Sequence, residues 1–138
     1  MRKAFGTLMV LLVTIPFCLG ARKPEPMYLP NPIPLREGVS HADAIESVKQ
    51  TVMGRGWAYL GKDDSDKGTI VHARLIVRVH MVEITIRVTD ELILFEYVDS
   101  HGMRYEERKG RAYIHPKYGQ WIRNIEADLG ALLSKHAE

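Results

Sequence analysis

The chain has 138 residues, 46% hydrophobic and 26% charged, with 19 basic and 17 acidic side chains. That length suits one domain, and a single cysteine, Cys18, excludes an intramolecular disulfide. With Arg2 and Lys3 of the leader set aside, 17 basic residues face 17 acidic ones; so neutral a remainder lacks the net basic footprint that nucleic-acid binding needs.

Residues 1–20 read as a secretory signal peptide. Arg2 and Lys3 form the charged start, Ala4–Phe17 the apolar run, and Cys18 and Gly20 the small residues before a cut after Gly20. The run is short for a transmembrane helix, and no later segment is apolar for long enough to span a bilayer. The expected destination is the periplasm or the exterior. Cys18 is either removed with the leader or lipidated at the mature N-terminus, although Ile15-Pro16-Phe17 fits a lipidation signal badly.

Residues 21–39 hold five of the seven prolines. Such spacing favours extended polyproline backbone and predicts a semi-rigid tether ahead of a domain over 40–138. A proline-recognition ligand is a second use for the segment. Ser40, with Asp43 three residues on, is a helix N-cap. The helix it opens runs to about Met53, with Ala44, Ile45, Val48 and Val52 on one side and Gly54 as terminator. A short strand follows over Trp57–Leu60, then a polar hairpin turn over Lys62–Gly68. The acidic cluster Asp63, Asp64 and Asp66 is not a calcium loop, because Arg74 stands where the twelfth-position glutamate belongs.

Three strands are expected at Thr69–Val77, His80–Val88 and Glu91–Val98, where Ile, Val, Leu and Thr alternate with polar residues and proline is absent. A tight connection at Arg78–Val79 sets Val71 opposite Ile86, Ala73 opposite Ile84 and Leu75 opposite Val82 on one face. It sets Arg74 opposite Glu83 on the other. A one-residue slip would turn Glu83 and Arg87 inward, so this register is well specified. A turn at Thr89–Asp90 predicts Ile93 opposite Ile86, Phe95 opposite Ile84 and Tyr97 opposite Val82. The second face then carries Ile70, Ile76, Met81, Leu92, Leu94 and Val98 among Arg74, Glu83, Arg87 and Glu96, which is too apolar for a plain wet face.

Met103 and Tyr105 are candidates for one more short strand, and Tyr113–Ile114 is a brief apolar stretch. Pro116 suits the first turn of a second helix, in which Tyr118, Trp121, Ile122, Ile125, Leu129 and Leu132 form an amphipathic stripe to about Lys135. Trp57, Tyr118 and Trp121 are expected in the core.

Six histidines show no helical metal-ligand spacing and no thiolate accompanies them, so no cofactor is expected; His101 and His115 are the pair to test if a metal binds. Ser100–His101 lacks a glycine-framed elbow, and no constellation meets the demands of an active site, so the chain is read as non-enzymatic.

The runs Arg55-Gly56-Trp57, Gly68-x-Ile70-x-x-Ala73, Arg78-x-His80, Phe95-x-Tyr97-x-x-Ser100 and Ile114-His115-x-x-Tyr118-x-x-Trp121 resemble a family of small, uncharacterised Gram-negative envelope lipoproteins. The resemblance covers roughly residues 40–130 and implies a signal peptide, a lipobox cysteine, a proline-rich tether and one small α+β domain. It implies no activity. The chain departs from that pattern before Cys18 and over residues 104–111, which are longer and more charged.

The expected fold is α+β in two layers, an antiparallel sheet of about four strands with both helices on one face. The expected function is an envelope binding or adaptor module. Its surface is the outer sheet face, with Ile76, Met81, Leu92, Leu94 and Val98 as apolar anchors and Arg74 and Arg87 around them. The partner is an envelope protein or a second copy, not nucleic acid, with membrane contact only through an N-terminal anchor. The alternative is a small-ligand or metal sensor at the His101–His115 loop.

Overall fold

The computed structural model describes residues 22–137, so the signal-peptide reading and Cys18 lie outside the described residues. Eight strands and two helices follow in the order β1 (Glu25–Pro26), β2 (Ile33–Pro34), α1 (His41–Gly54), β3 (Ala58–Ser65), β4 (Gly68–Val77), β5 (His80–Val88), β6 (Leu92–His101), β7 (Glu106–Arg108), β8 (Arg111–Ile114) and α2 (Lys117–His136). They form an α+β fold with two antiparallel sheets. One has five strands in the order β2-β6-β5-β4-β3, larger than the expected four, and the other has three in the order β1-β8-β7. Among the described residues no helix is long and apolar enough to cross a membrane.

The β4–β5 ladder has the register that alternation predicts, including Val71 opposite Ile86 and Arg74 opposite Glu83. The β5–β6 register is displaced by two: Ile93 lies opposite Val88, Phe95 opposite Ile86 and Tyr97 opposite Ile84. The cause is the turn. Thr89 N–H donates to Leu92 O at 2.9 Å. Thr89 Oγ1 also accepts from the N–H groups of Glu91 and Leu92 at 3.2 and 3.0 Å. The turn residues are therefore Asp90 and Glu91, not Thr89 and Asp90, in a side-chain-closed turn. A shift of two keeps every side chain on its expected face.

α1 begins as its sequence signals, with Ser40 Oγ accepting from Asp43 N–H at 3.0 Å. It ends two residues late. Trp57 N–H reaches Val52 O at 2.9 Å and Gly56 N–H reaches Met53 O at 3.1 Å, and Gly56 has φ +82°. These paired bonds make a Schellman close with Gly56, not Gly54, as the left-handed residue. β3 also runs on to Ser65, so Asp63 and Asp64 belong to a strand and only Asp66 and Lys67 make the turn.

Both helices cover one sheet face. Val48 and Val52 of α1 and Ile122, Ile125 and Leu129 of α2 meet Val71, Val82, Ile84, Ile86 and Ile93 in the core. Leu133 joins this core while Leu132 stays half-buried, and Trp121 is half-buried where Trp57 and Tyr118 are buried. Met103 extends no strand. It is buried in the loop after β6, and its carbonyl accepts from His115 N–H at 2.8 Å.

The proline-rich segment differs most from expectation. It is a strap on the domain, not a spacer. Glu25–Pro26 pair with β8 and Ile33–Pro34 with β6. Met27 N–H donates to Ala112 O at 2.9 Å and Leu35 N–H to Glu91 O at 2.8 Å. Tyr28 OH donates to Glu126 Oε1 at 2.6 Å, and the Arg123 guanidinium lies 4.2 Å from the Tyr28 ring centre. The prolines permit this because strand edges need no donor on their open side.

Candidate functional site: the outer face of the sheet

With both helices on one side, the other side of the five-stranded sheet carries the residues that alternate away from the core. Ile76 and Met81 are cross-strand partners, as are Arg87 and Leu94. All seven sequence-selected residues lie on this face. Ile76 is 66% exposed and Val98 52%, while Met81, Leu92, Leu94, Arg74 and Arg87 are half-buried.

A β-bulge keeps Val98 outward. Glu83 pairs with Asp99 but Ile84 pairs with Tyr97, so Val98 is the extra residue. Tyr97 OH and Ser100 Oγ lie 2.7 Å apart. Residues three apart in a regular strand point to opposite faces; here the bulge turns both inward and leaves Val98 and Asp99 together outside.

The two arginines differ. Arg74 Nε donates to Glu83 Oε1 at 2.7 Å, and beside it His72 Nε2 lies 2.7 Å from Asp63 Oδ2. Arg87 stands between Ile70 and Leu94 across the two ladders, and its Nε is buried with no hydrogen-bond partner among the described residues. The face therefore offers apolar contact area around the half-buried Arg87.

The histidines divide otherwise than expected. His101 has a side chain 73% exposed, 3.8 Å from Asp99 Oδ2. His115 is buried, and its ring lies 5.2 Å, centre to centre, from that of His80. His80 Nδ1 lies 2.8 Å from Gly102 O and so carries the proton. His115 Nδ1 accepts from Lys117 N–H at 3.1 Å, so the neutral ring carries its proton on Nε2. Burial, aided by His80, Arg22 and Lys117, holds His115 below the ordinary histidine range, against a smaller opposing effect of Glu25. The close pair is thus His80–His115, a juxtaposition no sequence spacing signals. Among the described residues no group of three or more metal-ligating side chains comes together.

At the other end of the sheet, His41 Nε2 lies 2.9 Å from Thr69 Oγ1, which donates to Asp64 Oδ1 at 2.7 Å. That bond, then Lys62, holds the Asp64 carboxyl below its usual range. Thr69 is buried and offers no accessible nucleophile. Ser100 is bound to Tyr97, while His101 stands beside Asp99.

Compared with protein-family models, curated proteins and solved structures, the chain matches none.

Proposed function

We propose that this protein is a non-enzymatic binding or adaptor module of the bacterial envelope, docking a protein partner on the outer face of its five-stranded sheet. One observation carries the reading. Ile76 and Val98 stand 66% and 52% exposed on a face that neither helix covers, with half-buried Met81 opposite Ile76 and half-buried Leu92 and Leu94 further along β6. Apolar groups at both ends of one sheet face, with the polar rows Arg74–Glu83–Asp99 and His72–Thr85–Glu96 between them, suit the mixed character of a protein-docking surface. Arg87, half-buried on this face, gives the surface a cation for a partner's carboxylate. Such charge-assisted bonds fix orientation once water is excluded. The secretory leader and the resemblance to small envelope lipoproteins support the location.

The test is photo-crosslinking from a probe at position 94 in intact cells, read by mass. A crosslink to a different envelope protein supports the reading and identifies the partner. A crosslink only to a second copy makes the face a dimer interface. No crosslink above that from a probe at the exposed position 46 on α1 refutes a docking role for this face.

A further inference from the structure

We propose that one corner of the domain, adjoining the Ile76–Met81 end of the sheet face, is a docking surface for an anionic phospholipid bilayer. The chain after its leader is neutral by count, but the fold segregates the charges. Asp63, Asp64, Asp66, Asp90 and Glu91 gather where the β3–β4 and β5–β6 turns lie side by side, Thr69 being paired with Val88, and only Lys62, 3.4 Å from Asp64, and Lys67 offset them there. The β4–β5 turn lies at the far end of strands nine or ten residues long, about 30 Å away at the usual rise.

A chain of contacts assembles the basic corner at that far end. Gly102 packs against the carbonyl of Val79, and His80 Nδ1 lies 2.8 Å from Gly102 O. Arg104 Nη1 donates to Arg22 O at 3.5 Å, and Arg22 and Lys117 both act on His115. From this corner the β7–β8 hairpin carries Arg108, Lys109 and Arg111. Every residue from Arg104 to Arg111 is exposed. Arg108 is tied to Glu106 at 3.1 Å, which leaves Lys109 and Arg111 to outweigh the exposed Glu107 on the hairpin.

Two further observations select a bilayer. Val79 is 79% exposed at the turn, next to Arg78, which holds φ +56° where glycine is favoured. An apolar side chain beside cations at a loop tip suits the boundary between headgroups and acyl chains. The nearby aromatic rings are engaged: Tyr105 stacks on Tyr97 at 4.6 Å and Arg108 covers Tyr113 at 4.3 Å. With one face of each ring already covered, the hairpin is a poor stacking platform for the bases of a single strand.

The test is vesicle co-sedimentation of the full-length chain and of Lys109→Glu/Arg111→Glu. Vesicles contain phosphatidylglycerol with phosphatidylethanolamine, or phosphatidylcholine alone. The leader is identical in both proteins, so their difference reports the hairpin. The expected result is wild-type preference for the anionic vesicles and a partition at least about tenfold weaker for the variant, since each basic residue near such a surface contributes several-fold. Should the variant fail to fold, the wild type is titrated with salt; its anionic preference must fade as the Debye length falls from about 10 Å to about 3 Å. Equal binding by both folded proteins, a preference that salt leaves unchanged, or retention of single-stranded DNA without vesicle binding each overturns the proposal.

Discussion

Ile93 and Leu94 are neighbours in β6 that should answer the same substitution in opposite ways. Ile93 is fully buried opposite Val88, itself fully buried. Ile93→Asp removes an apolar side chain whose truncation costs about 2–5 kcal/mol. It also places a carboxylate among Val, Ile and Leu, where desolvation costs several kcal/mol more. A domain of this size is stable by about 5–15 kcal/mol, so the variant should be unfolded or close to it. Leu94 is half-buried on the other face, directly opposite Arg87. There an aspartate forfeits part of a leucine's burial but gains a cross-strand charge pair, worth about 0.2–1 kcal/mol. The net loss for Leu94→Asp should stay near 1 kcal/mol, with association through the sheet face abolished. Urea unfolding followed by circular dichroism measures the stabilities, and gel filtration or crosslinking measures association. Equal destabilisation by the two substitutions would refute the assignment of faces and the proposed docking surface with it.

Other expectations follow from single features. The Thr51 hydroxyl is buried in α1 without a partner among the described residues, so Thr51→Val should raise stability by up to about 1 kcal/mol in urea denaturation; a loss would reveal a hydrogen bond to that group. Gly102 has φ +70° and packs on the Val79 carbonyl, so Gly102→Ala should cost about 2 kcal/mol or more, read as a lower urea midpoint; an unchanged midpoint would refute the close approach. His115 is held below the ordinary range by burial, whereas the unfolded chain takes up its proton near pH 6.5. The folded state then binds fewer protons, so this contribution is complete above about pH 6.5 and is lost as pH falls towards the depressed folded value. His115→Asn, which removes the titration, should flatten the stability profile over that window; an unchanged slope would refute the assignment.

The parts of the fold legible in the sequence are those set by near neighbours. The β4–β5 register follows from alternation across a two-residue connection, because any one-residue slip would bury Glu83 and Arg87. The start of α1 follows from Ser40 and Asp43, three residues apart. The outer sheet face could be assigned residue by residue, even though the β5–β6 register was two residues away from expectation, because side chains alternate with period two. Tertiary structure decided what rests on distant partners. Prolines permit a free tether or an edge strand equally, and only the open edges of β6 and β8, with Glu126 and Arg123 under Tyr28, decide for the strap. The bulge at Val98 is settled by Tyr97 meeting Ser100. His80 and His115 come together because the β4–β5 turn and the entry to α2 converge on the Gly102–Met103 loop. Net charge, a sum over the chain, carries no information on position; the excess of acids at one end of the sheet arises only once the strands hold their turns at opposite ends.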